Sequence, residues 1–259
     1  MRQWFKHISL VLSALFVASC AYDIPPARIG DYVSFTRGAG DGALAGIGQR
    51  PLQVGLIVVS DTAAPDAAPN LPEEALVRLV ASLQRDIGQA IPVTIQELIP
   101  AGQIKPKSQG DWAQFAELGR QRGLDYLVLV VASSTEQEYP VMLFLTRDNK
   151  HLVPGFRRDN WALLEFALLD VTHQEIRMQV EGRGWATLDS PTAPGLDQWY
   201  PVIYLRPQDR RIWPPTYAGA PITLRVVSFD QAAQQLLLKL KTSWLGLLES
   251  EAKTPKAGS

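Results

Sequence analysis

The spacing of apolar and polar positions changes character several times along the chain. Leu52 to Val59 is almost continuously apolar and predicts a buried strand. Residues 60–70 read as a loop. Leu76, Leu79, Val80, Leu83, Ile87 and Ile91 then follow at helical spacing, with Asn70 and Glu73 as a capping-box-like start and Pro92 as the stop. Val93 to Ile99 reads as a second strand. Trp112, Phe115 and Leu118 mark a second helix, with Asp111 as its N-cap and Gly123 just past its end. Tyr126 to Val131 is a third buried strand. Strand–helix–strand–helix–strand predicts βαβ units and a sheet that is parallel at its start.

The second half of the chain has a different rhythm. Val141 to Thr146 reads as a short strand, and Trp161 to Val171 with Ile176 to Leu188 as an antiparallel hairpin turning near His173 and Gln174. Residues 189–221 hold seven prolines and read as a long loop insertion. Phe229, Ala233, Leu236, Leu237, Leu240, Trp244, Leu247 and Leu248 form the apolar stripe of a final helix, with Ser228 and Gln231 as its capping-box pattern. The expected fold is therefore α/β: a mixed sheet with a βαβαβ start, an antiparallel hairpin and a packed C-terminal helix. It occupies residues 52–250 as one domain, followed by a polar, disordered tail at 251–259.

Residues 1–19 follow a different plan. Arg2 and Lys6 precede a short apolar run from Ile8 to Val17, and then come the small residues Ala18 and Ser19. That order is a secretory signal, and its apolar run is shorter than the roughly 20 residues needed to span a bilayer. Val17-Ala18-Ser19-Cys20 resembles the bacterial lipobox, which implies cleavage between Ser19 and Cys20 and lipid on the Cys20 thiol. Cys20 is the single cysteine, so no intramolecular disulfide forms, and lipidation consumes a thiol that would otherwise be stray. Ala21, rather than Asp, follows it, which by the same resemblance implies an outer-membrane, periplasm-facing protein. Residues 20–51, with Pro25, Pro26 and five glycines between 38 and 48, read as a flexible tether.

Net charge is −1, and the signal takes two cations with it, so there is no basic footprint for nucleic acid. The Gly-rich stretch at 38–48 lacks a Gly-Lys-Ser/Thr ending and a preceding strand, so it is a linker and not a phosphate loop. His151 and His173 have no second ligand at metal spacing, which predicts no metal and no cofactor. No Gly-x-Ser-x-Gly elbow is present. Asp125 and Asp170 flank strands, and acid–base work would need them in one cleft. Arg157, Arg158, Arg206, Arg210 and Arg211 lie near aromatics, Trp199 and Trp213 among them, in the two long loops and read as a binding patch for anionic lipid headgroups, peptidoglycan or a protein partner, since Trp, Tyr and Arg dominate binding hot spots.

The strand Val54–Val59, a long helix, and Gly123-Leu124-Asp125-Tyr126-Leu127-Val128 entering a central strand resemble the curli-secretion and TolB N-terminal type of periplasmic lipoprotein domain. Leu168 to Ile176 is similar to the hairpin before the final helix of such domains. Leu52–Val59, Glu97-Leu98-Ile99-Pro100 with Pro106-Lys107, and Gly123–Val128 resemble the rhombotarget-type lipoproteins more closely. The resemblance implies a membrane-anchored, non-enzymatic binding or assembly factor of the cell envelope, with an envelope protein or a second copy as partner. The alternative is an envelope hydrolase acting on polysaccharide or lipid through loop carboxylates, which two carboxylates converging within about 5–10 Å in a cleft would support.

Overall fold

The computed structural model describes residues 28–34, 51–64, 66–106, 111–144, 152–192, 201–208, 210–212 and 219–253. Seven strands form one mixed sheet in the order β2-β1-β3-β4-β5-β6-β7. They are β1 (Leu52–Asp61), β2 (Val93–Ile99), β3 (Tyr126–Phe144), β4 (Leu152–Asp170), β5 (Glu175–Pro191), β6 (Val202–Arg206) and β7 (Arg210–Ile212). The helices are α1 (Glu73–Ala90), α2 (Trp112–Arg122) and α3 (Ala220–Lys253). β1 pairs in parallel with β2 and β3, and every later pairing is antiparallel. This is the mixed α/β architecture that the element order predicts.

Each face of the sheet has its own core. On one face, α1 and α3 cover Val54 and Leu56 of β1, Val128 and Val130 of β3, and Leu164, Phe166 and Leu168 of β4. On the other, α2 covers Ile57, Leu127, Leu129, Ala167 and Leu169. Both faces are buried in this inner half, which is why the strands there read as unbroken apolar runs. α2 begins where the Asp111 carboxylate accepts from the Ala113 N–H, and it ends at Gly123, whose φ of 65° is the left-handed C-cap conformation.

α3 lies directly on β5. A Cβ at Gly184 would fall 1.9 Å from the Ser228 carbonyl oxygen, and one at Gly182 2.1 Å from that of Ala232, so only glycine permits this approach. Gln231 and Gln235 of α3 accept from the backbone N–H groups of Trp185 and Arg183. Their side chains thus satisfy part of the β5 edge, as a neighbouring strand would.

Several expectations are corrected. Residues 28–34 are not tether. Ile29, Tyr32 and Val33 are buried in the α2-side core. Val141–Phe144 is the end of one 19-residue strand, β3, and not a separate strand. Asn70 does not cap α1, which starts after Pro72; its side chain instead accepts from the Ser60 hydroxyl. Ser228 is not a cap either. α3 begins at Ala220, and Ser228 is a buried helix-interior residue donating to the Leu224 carbonyl. The helix also runs to Lys253, into the segment expected to be tail. The 189–221 stretch is not one loop, because β6 and β7 lie inside it and extend the sheet. The signal, the Ser19–Cys20 junction, His151, Trp199, Trp213 and the end of the tail lie outside the described residues.

Candidate functional site

The long strands β3, β4 and β5 run past the inner half. There the start of α3 covers Ala186, Leu188 and Ile203 on its own side, and beyond it Met142, Leu152 and Phe156 of that side are exposed. Among the described residues, no helix covers the opposite face. Antiparallel register decides what that face displays. Tyr139 stands opposite Arg157, and Arg157 opposite Asp189; Asp159 stands opposite Thr187, Trp161 opposite Trp185, Thr187 opposite Tyr204, and Tyr204 opposite Arg211. Successive side chains alternate faces, so all of these share one.

The polar members hold one another. Arg157 makes a bidentate pair with Asp189, Nε to Oδ1 at 2.7 Å and Nη2 to Oδ2 at 2.9 Å. That bond raises the pKa of the guanidinium further above its ordinary value, although burial opposes the shift. Tyr139 donates to Asp159 Oδ2 at 2.7 Å, and Thr187 donates to the other Asp159 oxygen. Burial, and then the Asp159 bond, push the Tyr139 phenol above its usual range.

The aromatic members stack. The Trp161 and Trp185 rings lie 6.0 Å apart at an interplanar angle of 23°, and Trp185 is 38% exposed. Arg206 and Arg211 both approach the Tyr204 ring, at 5.4 and 5.6 Å from its centroid. The Arg206 Nε also lies 3.4 Å from Thr187 Oγ1.

The expected arginine patch is therefore split. Arg157, Arg206 and Arg211 share the aromatic face. Arg158 and Arg210 point to the other face, and Arg157 and Arg158 belong to a strand, not a loop. Arg158 pairs with Glu136 at 3.2 Å and Glu138 at 2.5 Å, while Arg225 of α3 donates to Glu136 at 2.9 Å. That network ties the start of α3 to the sheet around the fully buried Asn160. Trp161 and Trp185 were missing from the sequence-based set. Their signal was a mirrored alternation, Arg157-x-Asp159-x-Trp161 on one strand and Trp185-x-Thr187-x-Asp189 on the next.

The same face carries the docked N-terminal segment. Glu165 is buried in mid-sheet and accepts from the Ile29 N–H at 2.7 Å. Arg28 lies 3.9 Å from Glu165 and 3.7 Å from Glu181, which stands opposite Glu165 on β5. The Tyr32 hydroxyl donates to Asp61, Trp112 Nε1 donates to the Ser34 carbonyl at 3.0 Å, and the Asp111 N–H donates to that of Tyr32 at 3.1 Å. Burial raises the Glu165 pKa, against the lowering effects of the Ile29 N–H and Arg28. Burial and the Asp61 bond likewise hold the Tyr32 phenol well above its usual value.

Asp170 and His173 sit at the far end of the β4–β5 hairpin. Burial would raise the Asp170 pKa, but the His173 N–H and Arg177 outweigh it and hold the carboxyl below its usual range. Arg177 reaches Asp170 Oδ2 at 2.6 Å, and the His173 ring lies 2.9 Å away. These contacts brace the hairpin turn. Asp125 is nearby, 3.5 Å from the Thr172 hydroxyl. Among the described residues, no group of three His, Cys, Asp or Glu side chains could hold a metal ion, and no helix is long and apolar enough to cross a membrane.

No family model matches the chain, and no curated protein matches it. Some solved structures are similar. One is the Helicobacter pylori homolog of a neuraminyllactose-binding hemagglutinin, with 9% identity and a TM-score of 0.38, over 80% of this chain and 95% of that one. A second is a PelC dodecamer from Paraburkholderia phytofirmans, with 10% identity and a TM-score of 0.29, over 73% of this chain and 89% of that one. A third is a hypothetical protein of Chlamydia trachomatis, with 12% identity and a TM-score of 0.34, over 76% of this chain and 98% of that one. Similarity at this level assigns no role.

Proposed function

We propose that this chain is a membrane-anchored envelope lipoprotein that works by binding, through the Trp161–Trp185 and Tyr204–Arg206–Arg211 face, and not by catalysis. The observation that carries the reading is the chemistry of that face. Its carboxylates Asp159 and Asp189 are spent on Tyr139, Thr187 and Arg157, while its aromatic rings and the Arg211 head reach the rim. Large amphipathic rings and guanidinium groups are the side chains that concentrate binding energy.

The hydrolase alternative needs two carboxylates converging in an open cleft. Two pairs of carboxylates face each other across β4 and β5: Asp170 and Glu175, which share Arg177, and Glu165 and Glu181. Arg28 and Ile29 occupy the Glu165–Glu181 pair, and the Glu165 side chain is only 4% exposed. The pair is thus spent on holding the N-terminal segment, which supports binding over hydrolysis.

The anchor is tested by feeding cells a labelled fatty acid. The wild-type chain takes up label, and Cys20→Ser does not; normal labelling of Cys20→Ser removes the lipoprotein reading. The face is tested by crosslinking in cells followed by recovery of the chain. Combined Trp185→Ala and Arg211→Ala lowers recovery of crosslinked material, whereas Arg210→Ala, on the opposite face, leaves it unchanged. Equal loss in both variants removes the assignment to this face.

A further inference from the structure

The docked segment changes the geometry of anchoring. If residues 20–51 were all tether, a coil of about 30 residues would let the domain roam on the order of 30 Å from its lipid. Arg28 and Ile29, however, are fixed to Glu165 in the middle of the sheet. Only the stretch from Cys20 to Arg28 is left to span from lipid to domain, at most about 29 Å when fully extended and about 16 Å as a coil.

That attachment point lies on the aromatic face. Glu165 and Glu181 form one rung of the β4–β5 ladder, and Trp161 and Trp185 form the rung four residues further along. With about 3.3 Å per residue, the stacked tryptophans lie about 13 Å from the point where the chain leaves for its anchor. Tyr204 and Arg211 continue the patch outward on β6 and β7. The anchoring point and the aromatic patch thus share one side of the molecule.

We infer that this face lies on the bilayer surface, with Trp161, Trp185 and Tyr204 at headgroup level and Arg28, Arg206 and Arg211 directed at phospholipid phosphates. The inference rests on the lipoprotein reading of Cys20 and names the surface that the proposed binding face meets first. Tryptophan and tyrosine favour the headgroup layer because one end of the ring is apolar and the other polar. Guanidinium groups suit phosphate oxygens because they donate in a planar fork. The acidic side chains of this face do not oppose that contact. Asp189 is paired with Arg157, Glu165 holds Ile29 and faces Arg28, Glu181 pairs with Arg183, and Asp159 holds Tyr139 and Thr187. A single contact of this kind is weak, but beside a lipid anchor it fixes orientation, because the second binding event is intramolecular.

The test uses the full chain, expressed with its lipid and reconstituted into vesicles of phosphatidylethanolamine and phosphatidylglycerol. An environment-sensitive fluorophore is placed on Gln137→Cys, an exposed position on the aromatic face opposite Asp159, or on Leu238→Cys, 70% exposed on α3. The expected result is a blue shift at position 137 and loss of most of its emission to a lipid-borne quencher, with neither change at position 238. Adding Trp185→Ser to Gln137→Cys takes the shift back toward the aqueous value. If the chain floats with vesicles but positions 137 and 238 respond alike, this face does not meet the bilayer and the anchor reading stands alone. If the chain carries no lipid and does not float, the anchor reading fails and the inference fails with it.

Discussion

The same three strands pass through two environments. In the inner half of the sheet, every residue of β4 from Ala162 to Asp170 is buried, under α1 and α3 on one face and under α2 and the docked segment 28–34 on the other. In the outer half, the same strand alternates from Leu152 to Phe156, with Leu152, Pro154 and Phe156 exposed on the α3 side and Val153 and Gly155 buried on the aromatic side, and it then carries Arg157, Arg158 and Asp159. The difference lies in what covers the strand, not in its backbone, which keeps one register with β3 from Tyr126–Asp170 to Phe144–Leu152. One strand can therefore serve as core at one end and as a display surface at the other. A continuous apolar run reports two covered faces, and an alternating run reports one.

If the inner half is core and the outer face is display, substitutions in the two halves should fail differently. Phe166→Ala, fully buried in the α1/α3-side core, should cost about 3–5 kcal/mol of stability, measured by urea denaturation. A loss well below that would mean that the inner half is less tightly packed than its burial indicates.

Gly184→Ala comes next. Its Cβ would meet the Ser228 carbonyl of α3, so the helix must shift, at a cost of about 1–3 kcal/mol. Hydrogen exchange should show faster exchange in α3 than in α1. Uniform loosening would contradict a local contact between α3 and β5.

Glu165 sharpens the comparison, because it is a titratable group inside the covered half. Its pKa is raised in the folded state, so the fold binds the proton more tightly than the unfolded chain. The corresponding stability is present below the ordinary glutamate value and is lost as pH rises through the raised one. Glu165→Gln should flatten that pH dependence. Denaturation midpoints followed from acid to neutral pH check this, and an unchanged slope would show that another group sets it.

The smallest effect belongs to the display face. Trp185→Ala should cost about 1 kcal/mol or less, chiefly the ring stacking with Trp161, while lowering crosslinked recovery in cells. A cost comparable to that of Phe166→Ala would make Trp185 a core residue and remove the contrast between the halves.

Much of the inner half was legible in the sequence. Leu52–Val59 and Tyr126–Val131 read as buried strands, and α1 and α2 were placed by helical spacing, Asp111 and Gly123, because each signal is local. The outer half was not. Arg157 and Arg158 are neighbours in sequence but face opposite sides of the sheet. The patch around Trp161 forms only when β4, β5 and β6 align in register. The docking of residues 28–34 was hidden for the same reason, since the Ile29–Glu165 bond joins residues 136 positions apart. A Pro- and Gly-rich neighbourhood made that segment look like linker.

The sequence by itself determined the class of the fold and its β1-α1-β2-α2-β3 start, because periodicity and caps act over a few residues, and a motif equally local is the ground for proposing Cys20 as an anchor. Only the tertiary structure decided which side of the sheet is displayed, which arginines share it, and that the chain is clasped to that side eight residues after Cys20. Those outcomes depend on strand register and on which face a helix covers, and both arise from contacts between residues far apart in the chain.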